Sequence, residues 1–356
     1  MKLSLRNKLI HFFVLFFFIV THAILLNGCK NEIPYEPAQK ESLLIMNALL
    51  NADSCENFVY LNLSGVNESY HVKEASVTIY INDKLAEVAE EYAVEIPVWD
   101  GEYQEPIRQN QKIFRVTSRF QPGDEIKLEA IAENGKYHVY ALVKVPDRVK
   151  PIQVDTVSVK LKNYGSWNHY MQYKITFSDL SFEKSYYRLD VYNEISTQPL
   201  KNNEYVSIKR KYELINREDF ILTDGHPKTD EEENDGFLVS NIDNKYNIFM
   251  NNRFRQSEAT LKVYTPMYKF WDEPYLRRNT ATIRIMTLTE PYYRYLRALN
   301  CIESEDYDET FMEPVIIPTN VVGGLGFVGV SSEQSVTLLL SETYVDYDDG
   351  FYIIGD

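Results

Sequence analysis

Glu125–Pro146 reads EIKLEAIAENGKYHVYALVKVP. Ile126, Leu128 and Ala130 alternate with Lys127 and Glu129, which is the period of a strand with one buried face. Asn134-Gly135 separates this run from a second strand-like run. Asn-Gly is the pair that a type I′ hairpin favours, because both central residues need positive φ. Gln121-Pro122-Gly123-Asp124 is a further turn signal, opening the first strand. The segment therefore predicts an antiparallel hairpin with one face in a core.

The same period extends outward in both directions. Val59, Leu61 and Leu63 oppose Phe58, Tyr60 and Asn62, and Val77, Ile79 and Ile81 alternate with Thr78 and Tyr80. An N-terminal β-sandwich, immunoglobulin-like or transthyretin-like, is expected over residues 42–148, ending near PDRVKP at Pro146–Pro151. Beyond it, QVDTVSVKL, HYMQYKITF, SYYRLDVYN, EATLKVYT and NTATIRIMTL are again short runs rich in Tyr, Val, Ile and Thr. They predict a larger C-terminal β-rich domain, 149–356. One short helix interrupts it: Thr289 is placed to cap, Glu290 and Pro291 suit a first turn, and Tyr292, Tyr295, Leu296 and Leu299 share a face. The expected class is all-β, mainly antiparallel.

The first residues differ in kind. Lys2, Arg6 and Lys8 precede the apolar run Leu9–Leu26, the basic and apolar regions of an export signal over residues 1–28. His11, Thr21 and His22 interrupt the run, which argues against a retained membrane span. It ends in Leu26-Asn27-Gly28-Cys29, which is similar to a bacterial lipobox. Cys29 then becomes an acylated N-terminus, and the polar stretch to residue 41 becomes a tether. Glu32 and Glu36, just after it, resemble surface-export signals, so an outer-membrane lipoprotein displayed at the cell surface is expected, with a periplasm-facing placement as the alternative.

Loss of Lys2, Arg6 and Lys8 takes the formal charge from −15 to −18. So acidic a body repels phosphate backbones and anionic headgroups, so nucleic acid is not an expected partner and acyl chains make the membrane contact. Cys55 and Cys301 remain in a compartment that permits disulfides, and whether they pair stays open.

GGLGFVG, Gly323–Gly329, contains G-x-G-x-x-G at Gly324, Gly326 and Gly329. A dinucleotide site would need a βαβ unit around it. Only 27 residues follow Gly329, and VSSEQSVTLLL has no helical stripe. No nucleotide is expected; these glycines, with Gly323 and Gly135, are read as structural, permitting positive φ or close packing. His71, His138, His169 and His226 lack zinc-site spacing. In the acidic run Asp230–Asp235, setting Gly236 at the sixth position of a calcium loop puts Ile242 where the twelfth requires Glu. Neither metal nor cofactor is expected, and no nucleophile-base motif suggests an enzyme. Two aromatic clusters remain as candidate ligand or partner contacts: Trp99 with Tyr103, and Trp271 with Tyr275.

Several blocks together carry a resemblance: the lipobox start, FQPGDEIKLEAIAENGKYHVYALVKVP, EPYYRYLRALN, and FMEPVIIPTNVVGGLGFVG. The chain resembles the DUF4249 family of Bacteroidota lipoproteins, with Glu313, Pro314, Val315, Thr319, Asn320 and Gly323–Gly329 falling on its glycine-rich segment. The resemblance implies an all-β, two-part envelope lipoprotein, often encoded beside TonB-dependent outer-membrane receptors, with no known catalytic residues. An accessory or docking subunit of such an uptake system is the leading expectation. A surface glycan- or ligand-binding protein and a structural adhesion subunit are the alternatives.

Overall fold

The computed structural model describes residues 41–65, 71–93, 112–163, 166–199, 206–211, 214–215, 219–223, 244–267, 275–304, 307, 313–344 and 352–353. The signal segment, Cys29 and the tether lie outside them. The described fold is all-β, mostly antiparallel, with one α-helix.

In the N-terminal part the strands are β1 (Leu44–Asn51), β2 (Asn57–Leu63), β3 (Ala75–Ile81), β4 (Lys84–Val88), β5 (Glu90–Glu91), β6 (Lys112–Val116), β7 (Glu125–Ala132) and β8 (Tyr137–Lys144). Sheet order β4-β3-β7-β8 packs over β1-β2-β6-β5. The alternation dictates the packing: Val59, Leu61, Val77, Ile79, Ile126, Leu128 and Ala130 are fully buried. Each large aliphatic side chain so buried stabilises the fold by about 1.5–3 kcal/mol.

Local turns behave as their residues require. The β7–β8 hairpin pairs Ala132 with Tyr137. Asn134 and Gly135 take φ of +55° and +85°, and the Lys136 N–H donates to Glu133 O at 3.1 Å, as in a type I′ turn. A second two-residue turn, Asn82-Asp83, has φ of +52° and +63° and joins β3 to β4. At the edge, Glu87 of β4 accepts from the N–H and hydroxyl groups of Thr117 and Ser118, tying β4 to the strand end beyond β6. Partial burial works to raise this carboxyl's pKa, but the Ser118 and Thr117 hydrogen bonds outweigh it and hold it below the ordinary glutamate range.

The C-terminal part contains β9 (Gln153–Asn163), β10 (Ser166–Asp179), β11 (Tyr186–Pro199), β12 (Val206–Lys211), β13 (Ile248–Met250), β14 (Ser257–Pro266), β15 (Tyr275–Leu288), α1 (Glu290–Ile302), β16 (Val328–Tyr344) and β17 (Tyr352–Ile353). Sheet β14-β10-β9 packs over β12-β11-β15-β16, with Ile175, Leu189, Leu261 and Ile283 fully buried between them. Phe177, Tyr187, Phe249 and Phe254 fill one end with ring centroids 5.3–6.3 Å apart. Edge-on and offset contacts of this kind add to area burial.

The N-terminal sandwich is not closed by its own residues, and in one place it is not antiparallel. β16 pairs in parallel with β1, Ala48 opposite Val328 through Asn51 opposite Ser331. From Ser331 onward the same strand pairs antiparallel with β15. Val321, Val328 and Val330 lie in the first core, whereas Val336, Leu338 and Leu340 pack on the second. The segment PDRVKP falls between the two cores, yet this one 17-residue strand crosses back over it. The period-2 pattern of VSSEQSVTLLL identifies a strand; only its long-range partner makes it the shared one.

Helix α1 begins after Thr289, whose φ of −74° and ψ of 156° are those of an N-cap, but its hydroxyl makes no capping hydrogen bond. The expected cap is therefore one of backbone geometry alone. Tyr292, Tyr293 and Leu296 are buried against Tyr186, Leu288 and Phe327, and Tyr295 stacks on Phe327 at 4.4 Å. Cys55 is exposed and Cys301 half-buried, and both are free thiols, so the pairing left open by the sequence is not formed.

Candidate functional site

The glycine stretch is a strap between two sheets. The Val322 N–H donates to Tyr140 O at 2.8 Å and Tyr140 N–H to Val322 O at 3.1 Å, holding the strap to β8. Three residues on, Leu325 N–H donates to Leu44 O, and Met46 N–H to Leu325 O, both at 2.9 Å, holding it to β1. There is no room for a side chain at Gly324 or Gly326. A Cβ on Gly324 would lie 2.3 Å from Leu44 O, and one on Gly326, where φ is +110°, 2.2 Å from Met46 O. Asn320 both donates to Val328 O and accepts from Val328 N–H, and Thr319 donates to Gly326 O. The N–H groups of Val322, Leu325, Phe327 and Val328 all donate within the protein.

Where the two sandwiches meet, a polar seam crosses the outer face of the shared sheet. Arg148 donates to Asp53 Oδ1 from Nε at 2.9 Å and from Nη2 at 2.5 Å, and the Glu333 N–H donates to Asp53 Oδ2 at 2.8 Å. Asn51 Nδ2 donates to Glu333 Oε2 at 2.6 Å, and Arg284 Nη1 stands 3.7 Å from the same oxygen. The Arg284 guanidinium lies 4.9 Å from the centre of the Tyr192 ring. Asp190, 3 % exposed, meets Lys211 Nζ at 2.8 Å and Arg188 Nε at 3.4 Å through Oδ1, as ion pairs rather than well-aligned hydrogen bonds.

Register explains the seam. Asp190 pairs with Arg284, and Arg284 with Ser335, so strand alternation brings their side chains to one face while Leu189, Val191, Ile283 and Ile285 fill the other. Tyrosines border it. Burial pushes the phenol of Tyr292 up to about 12, against the lowering effect of Arg188, and burial with the Glu303 hydrogen bond pushes Tyr246 up to about 12. Burial and the Asp190 charge also raise Tyr192. All three stay protonated at neutral pH, so they offer hydrogen bonds and ring faces rather than phenolate chemistry. Among the described residues no group of three His, Cys, Asp or Glu is placed to hold a metal ion.

Trp99, Tyr103 and Trp271 lie outside the described residues, as do His226 and the acidic run Asp230–Asp235. Tyr275 opens β15 opposite Pro199. The first cluster leaves the fold between β5 and β6, near the start of β1, since Lys112 pairs with Leu61 and Leu61 with Met46. The second leaves it beside Leu276 and Tyr344, at the far end of β16. At roughly 3.3 Å per residue, the 17 residues of β16 reach about 55 Å, which separates the two stems. Sequence reasoning missed Trp167, which is 69 % exposed near the start of β10. It also missed the seam, although the alternation Arg188, Asp190, Tyr192 along one strand was a legible sign of a charged face.

The family model described as "Domain of unknown function (DUF4249)" matches residues 30–337. The chain belongs to the DUF4249 family. The match starts immediately after Cys29, includes the N-terminal sandwich and the glycine strap, and ends within β16. No curated protein matches this DUF4249 chain in sequence. Among solved structures it is similar to a DUF4785 family protein from Legionella pneumophila subsp. pneumophila str. Philadelphia 1, at 7 % identity and a TM-score of 0.21, covering 68 % of this chain and 52 % of that one. It is also similar to a "putative beta-galactosidase" from Bacteroides fragilis, at 10 % identity and a TM-score of 0.15, covering 88 % of this chain and 34 % of that one. The chain thus spans about half and about a third of the two structures.

Proposed function

We propose that this DUF4249 protein is an outer-membrane lipoprotein, anchored by acyl chains on Cys29, that serves as a non-enzymatic accessory or docking subunit of a TonB-dependent uptake system. The observation that carries the reading is one of direction. β1 leaves its first residue, Leu44, shortly after the proposed tether, and β16 runs parallel to it and continues into the second sandwich. A lipid on Cys29 would tether the folded residues through the polar stretch that precedes β1. The acidic body adds no attraction to anionic headgroups, so anchoring rests on the lipid, with about 0.8 kcal/mol per buried methylene and more than one chain.

The test is Cys29→Ala with membrane fractionation. The variant is expected in the soluble fraction or as a heavier, uncleaved precursor; a membrane-bound, normally processed variant contradicts the anchor. Co-purification from gently solubilised membranes addresses the partner. Recovery of a β-barrel transporter no higher than with an unrelated lipoprotein removes the docking role. A surface glycan- or ligand-binding role is the second reading, favoured by exposed Trp167, and a ligand-dependent thermal shift lost in Trp167→Ala would select it.

A further inference from the structure

Among the described residues the three main sheet paths end in six edge strands, of which five are blunted; β13 and β17, off those paths, have only three and two residues. β5 has two residues. β4 has five, with a register shift opposite it at Ile79/Tyr80 and Glu87 tied to Thr117 and Ser118. β8 is covered by the strap through the Tyr140–Val322 pair of hydrogen bonds. β14 is covered in the same way, Ile215 and Tyr264 exchanging backbone hydrogen bonds at 3.0 Å. β12 has six residues and ends Lys209-Arg210-Lys211, a charged edge. These are the devices by which folded proteins avoid pairing with other chains.

β9 also carries charge, at Asp155, Lys160 and Lys162, but Thr156–Val159 between them is uncharged. The strand is 11 residues long and pairs with β10 from Gln153 to Asn163 without a register shift. No described strand pairs with its other side. Asp155, Thr156, Val157 and Ser158 are all exposed, although they alternate between the two faces, and the Ser158 hydroxyl donates to Met267 Sδ at 3.4 Å. Val157 is 50 % exposed. A row of free backbone donors and acceptors at this length is a template for one more strand.

We infer that the free edge of β9 is a strand-docking site for an extended segment of a partner protein. The chemistry of that segment follows from the two faces of β9. On one face Val157, Val159 and Leu161 call for β-branched apolar residues opposite them. On the other, exposed Thr156, Ser158 and Lys160 call for hydroxyl residues and a carboxylate facing Lys160. A second copy of the mature chain is the poorer occupant, since it brings another −18 body to the same edge. The site does not depend on Cys29 or its lipid.

The full mature chain, purified without lipid, is mixed with a capped ten-residue peptide alternating valine with threonine and carrying one central glutamate. Hydrogen exchange is followed by mass spectrometry. The amides of residues 153–161 are expected to exchange at least tenfold more slowly with peptide, saturably. Val157→Lys should weaken peptide binding at least tenfold at an unchanged melting temperature, whereas Val157→Thr, which keeps strand preference, should retain it. No added protection at millimolar peptide, or equal binding by Val157→Lys, overturns the site. Protection of β9 by concentration-dependent self-association, seen by sedimentation without peptide, overturns the partner strand in favour of a second copy.

Discussion

The hairpin at Asn134-Gly135 and the strap at Gly323–Gly329 both depend on glycine, for opposite reasons. At Gly135 a Cβ would meet nothing within 4 Å; only its φ of +85° matters. At Gly324 and Gly326 of the strap a Cβ would strike backbone oxygens of β1 at 2.2–2.3 Å. One glycine serves a turn that its neighbours in sequence define. The others serve a crossing between strands nearly 280 residues apart, where two sheets approach too closely for a side chain at Gly324 or Gly326.

The sharpest way to break this comparison is Gly326→Val. Overpacking against Met46 O and forcing a β-branched residue to φ of +110° should together cost about 3–5 kcal/mol. Loss of the strap should destabilise both sandwiches in one transition, because β16 follows it. Chemical denaturation with probes in each sandwich checks this, and two separate transitions would show that the strap does not couple them.

Gly329→Ala should come next, at about 1–3 kcal/mol, because the obstacle is the Tyr292 ring at 2.8 Å rather than backbone. A Tyr292→Leu background should absorb most of that cost. Strict additivity in the double-mutant cycle would mean that the ring is not what excludes the methyl.

Gly135→Val is expected to cost about 1–2 kcal/mol, the backbone penalty alone, and Gly135→Asn appreciably less. Equal losses for the two variants in thermal melts would point to an unseen packing contact and remove the contrast with the strap.

The smallest effect concerns the Glu87 clasp, which closes an edge of the same sandwich that the hairpin belongs to. Its pKa is lowered in the fold, so its charge stabilises fully above the unfolded-state value and loses that contribution as pH falls through the folded one. Glu87→Gln should be less stable than the parent by under about 1 kcal/mol at neutral pH. The gap should narrow on acidification, as melting temperatures across the acid range will show; a gap that widens there contradicts the charge-dependent clasp.

Strands were legible in this chain because a half-buried strand writes its environment at every second residue. Ile126, Leu128 and Ala130 declare a core face without reference to anything distant, and Asn134-Gly135 declares its turn because positive φ is a local demand. The helix was legible for the same reason, though not its full buried face: Tyr293 also packs inward, against Tyr186, a contact that helical spacing alone does not reveal. The seam was only half written. Arg188, Asp190 and Tyr192 alternate visibly, but Arg284 and Glu333 join them through register between strands far apart in the chain.

By itself, then, the sequence determined the class of the fold, the position of most strands, the Asn134-Gly135 turn and the absence of a βαβ setting for its G-x-G-x-x-G, because periodicity and turn chemistry act over a few residues. Tertiary structure alone decided that β16 closes one sandwich and continues the other, that the glycines are a strap, and that β9 is the edge left open. Each of those depends on which distant strand lies alongside, and strand pairing is settled by the packing of whole sheets, not by any short stretch of residues.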